Sequence, residues 1–453
     1  MNPERQIGIC GTFDVANYGD LLFPLLAEAE LQQRLGPVKL HAFSYRQKAP
    51  PAWPYPVTPL ADLPAAAGRL DGMVIGGGDV VRFDKAIAPD YFPPTPDIHH
   101  PTGYWLTPML IAAQAGCPVV WNAPGVHGDI PAWAGPLLEL AIAVSSEVAV
   151  RDAASRQALI RFAGDKQIQI VPDTAFGVAR LVNVDKPTAE FTELCKSIGV
   201  KSPYLIVQAT PGLEAFTSLV RRQPHLFREY QLVLLPVCPI HGDDAACLGD
   251  LLPGGIRLPA WPHPLLLAEL IGHAGGTVGT SLHLTITALA FGVPVFRPGK
   301  TLSGKFAQLA GFDTVATFDD TAEIDPIWFA ARLGRTLPSP PAQAAVRRLS
   351  RHWDDLAARF RTDAPKPARL ETLGRFWQTL PRRLETEAVR LATVQDEHEV
   401  IRAERDSLTS ERDGLIAERN AIYQSNFWKL TKPLWFLSRT LRRQARRRRT
   451  SHV

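Results

Sequence analysis

The chain reads as an α/β protein of two Rossmann-like parts, followed by a long helix and a basic amphipathic tail. Three observations predict this. Short apolar runs alternate with amphipathic helical stretches from the N-terminus to about residue 300, the pattern of parallel sheets with helices on both faces. A polar interval over 183–202 interrupts the rhythm once before it restarts. Beyond residue 361 the alternation stops and apolar residues recur every seven positions. With 453 residues, 46% apolar and 21% charged, the chain exceeds one ordinary core, and its 40 prolines speak against an all-helical bundle.

The first strand is Ile7 to Gly11, and Asp20 to Leu35 follows as a helix with one apolar stripe. Strands are predicted again at Val38–Phe43, Met73–Ile75, Val119–Asn122, Val148–Val150 and Ile168–Val171. In the second part they fall at Tyr204–Gln208, Gln231–Leu235, Thr277–Val278 and Val293–Phe296, and Arg332–Phe360 reads as closing helices that pack back onto the body. The expected domains are 1–185 and 200–361, with a Pro-, Lys- and Arg-rich linker over 362–383, a heptad helix over 384–424 and a tail over 425–453.

Charge is unevenly placed. The tail from Lys429 onward carries nine Lys or Arg and no acid, against +4 for the whole chain, which leaves −5 for the rest and argues against nucleic acid as a partner. Five cysteines without a CxxC pair predict neither disulfides nor a zinc knuckle, and no Asp/His/Glu cluster has metal-ligand spacing. MNPERQIGIC has no signal-peptide h-region, and no apolar run reaches the roughly 20 residues of a bilayer span, so a cytoplasmic location is expected.

Four segments carry chemistry. Asn17-Tyr-Gly-Asp20 joins the first strand to the first helix, where glycine permits close backbone approach and a helix N-terminus attracts an anion; Asp20 also reads as an N-cap. Gly76-Gly77-Gly78-Asp79 follows another strand, so ligand approach and tight packing both explain it. Arg151-Asp152 closes a valine-rich strand, placing a guanidinium for bidentate grip of phosphate or carboxylate, or for pairing with a nearby Asp. Ser281-Leu-His283 opens a helix that ends at Gly292-Val-Pro294, and a first-turn histidine can move a proton near neutral pH.

In this order, with the Pro172-Asp173 step between them, these segments resemble the polysaccharide pyruvyl transferase family over residues 5 to 300. The resemblance implies two facing Rossmann-like domains as in GT-B glycosyltransferases. It also implies transfer of the enolpyruvyl carbons of phosphoenolpyruvate to a sugar hydroxyl pair, without a further cofactor. By resemblance, Arg151 and His283 hold the donor and Asp20 is the carboxylate, with His283 the candidate acid; Asn17, Gly76, Gly77, Gly78, Asp79 and Ser281 are the further residues expected to bind substrate. One position departs: family members with established donor binding carry an Arg where this chain has Ser281.

Two other readings stay open on the residues: a GT-B-type glycosyltransferase using a nucleotide sugar, and a non-catalytic scaffold at the membrane. The repeats Glu404-Arg-Asp-Ser-Leu408, Glu411-Arg-Asp-Gly-Leu415 and Glu418-Arg-Asn-Ala-Ile422 give a narrow seam suited to homo-oligomers or to a solvated helix. Phe427, Trp428, Trp435 and Phe436 stand beside the cations of the tail, as in interfacial helices on anionic membranes; packing on the body is the alternative. The run Ser425 to Leu434 resembles the end of many bacterial glycosyltransferases, which implies a peripheral enzyme at the inner membrane face acting on a saccharide or lipid-linked oligosaccharide.

Overall fold

The apolar run around Ile7 and Ile9 has neighbours on both edges and burial on both faces, as an inner parallel strand requires. In the computed structural model this run is β1 (Arg5–Cys10). The structure describes residues 3–83, 100–244, 254–258, 260–334, 336–362 and 367–449, with Leu248 and Leu252. Around β1 lie β2 (Val38–Ser44), β3 (Val57–Pro59), β4 (Gly72–Ile75) and β6 (Val119–Trp121), all parallel in the order β3-β2-β1-β4-β6. Beyond β6, a parallel bridge from Val120 to Glu147 leads to the pair β8 (Ala149–Val150) and β9 (Gln169–Ile170). A separate two-stranded piece joins β5 (Val81–Arg82) to β7 (Val126–His127). Helices α1 (Tyr18–Leu35), α2 (Leu63–Ala67), α3 (Leu106–Gln114), α4 (Gly135–Val144) and α5 (Ala153–Leu159) connect the strands.

The second sheet repeats the plan. Its strands are β10 (Tyr204–Gln208), β11 (Gln231–Leu235), β12 (Ile256–Arg257), β13 (Gly276–Val278), β14 (Val295–Pro298) and β15 (Val315–Phe318), all parallel in the order β12-β11-β10-β13-β14-β15. Helices α6 (Ala189–Ile198), α7 (Glu214–Arg222), α8 (Pro264–Gly272), α9 (Leu282–Ala290) and α10 (Pro326–Ala330) belong to this half. The chain has already crossed over at Thr188, which caps α6 and gives its N–H and hydroxyl to Glu269 of α8, both at 2.7 Å.

The two halves are not loosely hinged. One apolar cluster runs from Ile9 and Phe23 in the first half through Phe176 to Leu284 and Val295 in the second. The buried Tyr18 hydroxyl meets Thr287 at 2.8 Å, and the Tyr18 N–H donates to the Val237 carbonyl at 3.1 Å. Helix α11 (Pro340–Thr362) then returns to the first half, as predicted for the closing helices. Arg34 meets its Asp354 at 2.7 Å, Arg359 meets Glu147 at 3.1 Å, and Arg5 donates to the Phe360 carbonyl at 3.1 Å.

Past α11 the structure departs from expectation. The body ends at Phe376 rather than near residue 361, because Leu373 and Phe376 are still buried. Nor is 362–383 an irregular linker: α12 spans Pro367–Gln424, and only 363–366 lie outside the described residues. Proline is well tolerated at a first helical position, so Pro367 starts a helix where composition suggested a break. The second unit, Trp377–Val453, comprises the rest of α12 and α13 (Asn426–Arg449). Ser425 separates them, its hydroxyl accepting from the Trp428 N–H at 3.1 Å as a helix cap does. Val394, Ile401, Leu408, Leu415 and Ile422 are exposed. Among the described residues no helix is long and apolar enough to cross a membrane.

Candidate active site

The carboxyl ends of both sheets border one cavity of about 420 Å³, where open parallel sheets place their ligands. Its walls include Thr12, Asn17, Asp20, Asp79, Arg82, His127 and Arg151 from the first half, and Gln208, Cys238, His241, Asp243, Ser281, His283 and Lys305 from the second. Of the nine residues singled out in the sequence, six line it: Asn17, Asp20, Asp79, Arg151, Ser281 and His283. The three glycines lie behind the wall. A Cβ on Gly76 would stand 2.8 Å from the Cys10 carbonyl oxygen, one on Gly77 would strike the Phe23 ring at 2.4 Å, and one on Gly78 (φ +78°) would stand 2.9 Å from Asp20 Oδ1. This turn is built for packing, so Gly77, which the strand-end argument places in the cleft, is roofed by Phe23.

At the front of α1, Asn17 is the N-cap, accepting from the Gly19 N–H at 3.3 Å. Asp20 is therefore not the cap but sits in the first turn, facing the cavity. Its Oδ2 accepts from the Thr12 hydroxyl at 2.8 Å. Burial pushes its carboxyl up to about 6, only partly opposed by His283 and Thr12. Gly19 has a different reason to be glycine: a Cβ there would lie 1.8 Å from His283 Nδ1. The imidazole of the second half is thus seated on the backbone of the first.

His283 lies in the first turn of α9, whose N-cap is Ser281, accepting from the Leu284 N–H at 3.4 Å. The ring packs edge-on against Phe23 at 5.5 Å and turns Nε2 toward Asp173 Oδ2 at 3.6 Å. Asp173, fully buried, uses Oδ1 to accept from the Ala175 N–H at 3.0 Å. Burial alone would raise its carboxyl, but His283 and Arg151 outweigh it and hold the group below its ordinary range. A carboxylate thus stands behind the imidazole of His283, 3.6 Å from its Nε2.

Arg151, expected to clamp a ligand, is held by three carboxylates. It pairs with Asp79, reaches Asp152 at 3.4 Å and lies 3.8 Å from Asp173. Burial would raise Asp79 as well, yet Arg151, with help from Lys305 and His127, keeps it below its usual value. Arg151 is therefore a positioning residue, and Gly125 leaves room for it, since a Cβ there would stand 2.5 Å from the guanidinium. Asp152 also caps α5, accepting from the Ser155 N–H at 2.7 Å.

Four features were not legible in the motifs. Gln208 Oε1 accepts from the N–H groups of Thr280 and Ser281, both at 2.8 Å, while its amide donates to Asp243 at 2.8 Å, so the ends of β10, β11 and β13 are tied together. Arg82 and His127 enter from the β5–β7 pair. Lys305, in the short 3-10 helix Gly304–Leu309 after β14, lines the cavity with its ammonium 5.6 Å from the centre of the Phe306 ring. Cys238 lines it too, but burial pushes its thiol up to about 12, which leaves it a weak donor to Asn17 at 3.4 Å rather than a nucleophile.

Two facing parallel sheets thus share one cleft that gathers a His–Asp pair, a raised carboxyl and several cations. Residues 17–297 match the polysaccharide pyruvyl transferase family, and the chain belongs to that family of transferases. No curated protein matches it. Similar solved structures include UDP-GlcNAc 2-epimerase from Methanocaldococcus jannaschii, at 10% identity over 78% of this chain and 100% of that one, TM-score 0.49. A glycosyltransferase from Rickettsia africae is similar at 10% identity over 84% of this chain and 99% of that one, TM-score 0.42.

Proposed function

We propose that this cleft transfers the enolpyruvyl carbons of phosphoenolpyruvate to two hydroxyls of a sugar, forming a ketal and releasing phosphate. The observation that carries the reading is the seating of His283 on Gly19, beside Asp20 and in front of Asp173. It brings two proton carriers from opposite halves into one cavity. His283 delivers a proton to the donor methylene, which becomes the methyl group, and C2 turns electrophilic. Asp20, ionised above about pH 6, takes the proton of the attacking hydroxyl as the first C2–O bond forms. The second hydroxyl then adds to C2 as the bond to phosphate oxygen breaks, and phosphate leaves with the remaining proton.

The donor carries a phosphate and a carboxylate. Ser281 caps α9 and offers no charge, and Arg151 is engaged by its three carboxylates. Lys305 is the cation we assign to the donor in place of the family's Arg, with Arg82 on the opposite wall. The acceptor is a saccharide, borne on a lipid carrier that the basic tail keeps within reach at an anionic membrane face.

Thermal-shift titration tests the donor. Phosphoenolpyruvate should raise the melting temperature, UDP- and GDP-sugars should not, and His283→Ala should lower phosphate release in the presence of a diol acceptor by about 10² to 10⁴ fold. Stabilisation by a nucleotide sugar without any effect of phosphoenolpyruvate would make the enzyme a glycosyltransferase instead. Pyruvyl transfer that survives deletion of residues 384–453, in detergent with a soluble acceptor, would exclude a non-catalytic scaffold.

A further inference from the structure

From Leu384 to Ile422 an apolar row along α12 is exposed, and the charges beside it repeat with the same seven-residue period. Placing Leu408 at heptad position d puts Val394, Ile401, Leu415 and Ile422 at d as well. Position a is then Trp377, Leu384 and Leu391 at the start of the helix, His398 next, and Arg405, Arg412 and Arg419 further on, with Leu380 and Glu387 at d upstream of Val394. The first of these, Trp377, is where the second unit begins. Trp377, Leu384, Leu391 and the d residues from Val394 to Ile422 are exposed in the single chain.

An Arg at a would weaken a purely apolar seam, but each is preceded by a Glu at g: Glu404, Glu411 and Glu418. In a parallel two-stranded coiled coil, an a side chain packs into a hole whose rim is the partner's preceding g residue. Each Arg of one helix then meets the Glu directly before its counterpart on the other, three times over and on both sides. Glu397 at g and Arg402 at e add the usual g-to-e′ pair. Within the single chain these glutamates are exposed with no cation in ion-pair range among the described residues, whereas Arg405 and Arg412 turn to Asp406 and Asp413 of their own helix at 2.6 and 2.7 Å. At the C-terminal end, Ile416 and Tyr423 at e widen the apolar strip.

We infer that Trp377–Ile422 pairs with the same segment of a second copy as a parallel, in-register coiled coil roughly 70 Å long, held by the d-position aliphatics and by alternating Glu–Arg′ pairs. A parallel register brings like ends of the two segments together, Trp377 beside its counterpart and Ile422 beside its counterpart. An antiparallel pair loses this charge match, since the partner's glutamates no longer flank the a positions.

Light scattering on the full chain should give twice the chain mass. Glu411→Arg should raise the dimer dissociation constant several-fold, roughly tenfold when Glu404 and Glu418 are reversed as well, and the swap Glu411→Arg with Arg412→Glu should restore it. Under mild oxidation Leu408→Cys should form a covalent dimer, while Ser410→Cys on the outer face and the parent chain should not. A monomer at tens of micromolar overturns the proposal. So does a dimer in which the Leu408→Cys variant fails to cross-link or the charge swap does not rescue.

Discussion

Asp20 illustrates how much a single side chain owes to its surroundings. Its carboxyl is raised from 3.8 to about 6 by burial, so the folded state binds a proton that the unfolded chain has already lost. Stability contributed by the protonated group is complete below pH 4 and falls away as the pH rises through 6, after which the ionised carboxylate is a standing penalty. Asp20→Asn should therefore stabilise the protein by about 2 to 3 kcal/mol at pH 8, the gain shrinking to little at pH 4, as urea unfolding at the two pH values would show. The same variant should lose pyruvyl transfer, the exchange of stability for activity expected of a buried base. Lys305 supplies a second test. Lys305→Ala should raise KM for phosphoenolpyruvate by roughly 10 to 100 fold, and Ser281→Arg on that background should recover much of the loss by returning the family's cation. Six site residues were legible because glycine turns, strand ends and a first-turn histidine each leave a local mark. Asp173 was legible only as part of the Pro172-Asp173 step, since its place behind His283 arises when the β9 end meets α9, and Lys305 reaches the cavity from beyond β14, which no local pattern records. Arg151 was legible as a charge at a strand end, but the three carboxylates around it come from separate strand ends and a helix cap.

At the level of elements, every inner strand of both sheets was predicted from apolar runs, since strands buried on both faces leave continuous hydrophobic stretches. Three of the four edges were missed: β3 is Val57-Thr58-Pro59, β12 is two residues, and β15 is only half-buried, so none of these stands out from a loop. The returning helix α11 was legible, and it carries an acid-sensitive lock. His352, wholly buried, faces the Asn122 side-chain oxygen at 3.1 Å, and burial, with Arg34 adding to it, pushes its imidazole down to about 3. The unfolded chain takes up this proton near pH 6.5 while the folded one does not, so stability is full above 6.5 and falls by about 1.4 kcal/mol per pH unit as the pH drops toward 3. His352→Gln, which keeps a donor to Asn122, should flatten that slope between pH 6.5 and 4.5 in urea titrations, whatever its effect at pH 7. Parallel slopes in the two proteins would place the acid sensitivity elsewhere.

On the scale of the whole molecule, the charge is divided between a mildly acidic body and a tail from Lys429 with nine cations and no acid. Phe427, Leu430, Leu434 and Leu437 of α13 are exposed, so large apolar area stands next to those cations on one helix. This is the composition of helices that bind anionic interfaces with their rings at headgroup depth, where each nearby cation adds on the order of 1 kcal/mol. Because the attraction is electrostatic, it is screened over a Debye length of about 8 Å at physiological salt. The full chain should therefore sediment with vesicles containing anionic lipid and not with neutral ones, and binding should fall steeply between low and high salt. A chain ending at Gln424 keeps the catalytic body and α12 but should stay in the supernatant, while retaining phosphate release on a soluble diol. Replacing Phe427 and Trp428 by Ala should weaken vesicle binding without removing its salt dependence, since the two contributions come from different atoms. Equal sedimentation of the full and shortened chains, or binding indifferent to salt, would mean that α13 is covered by protein rather than by lipid.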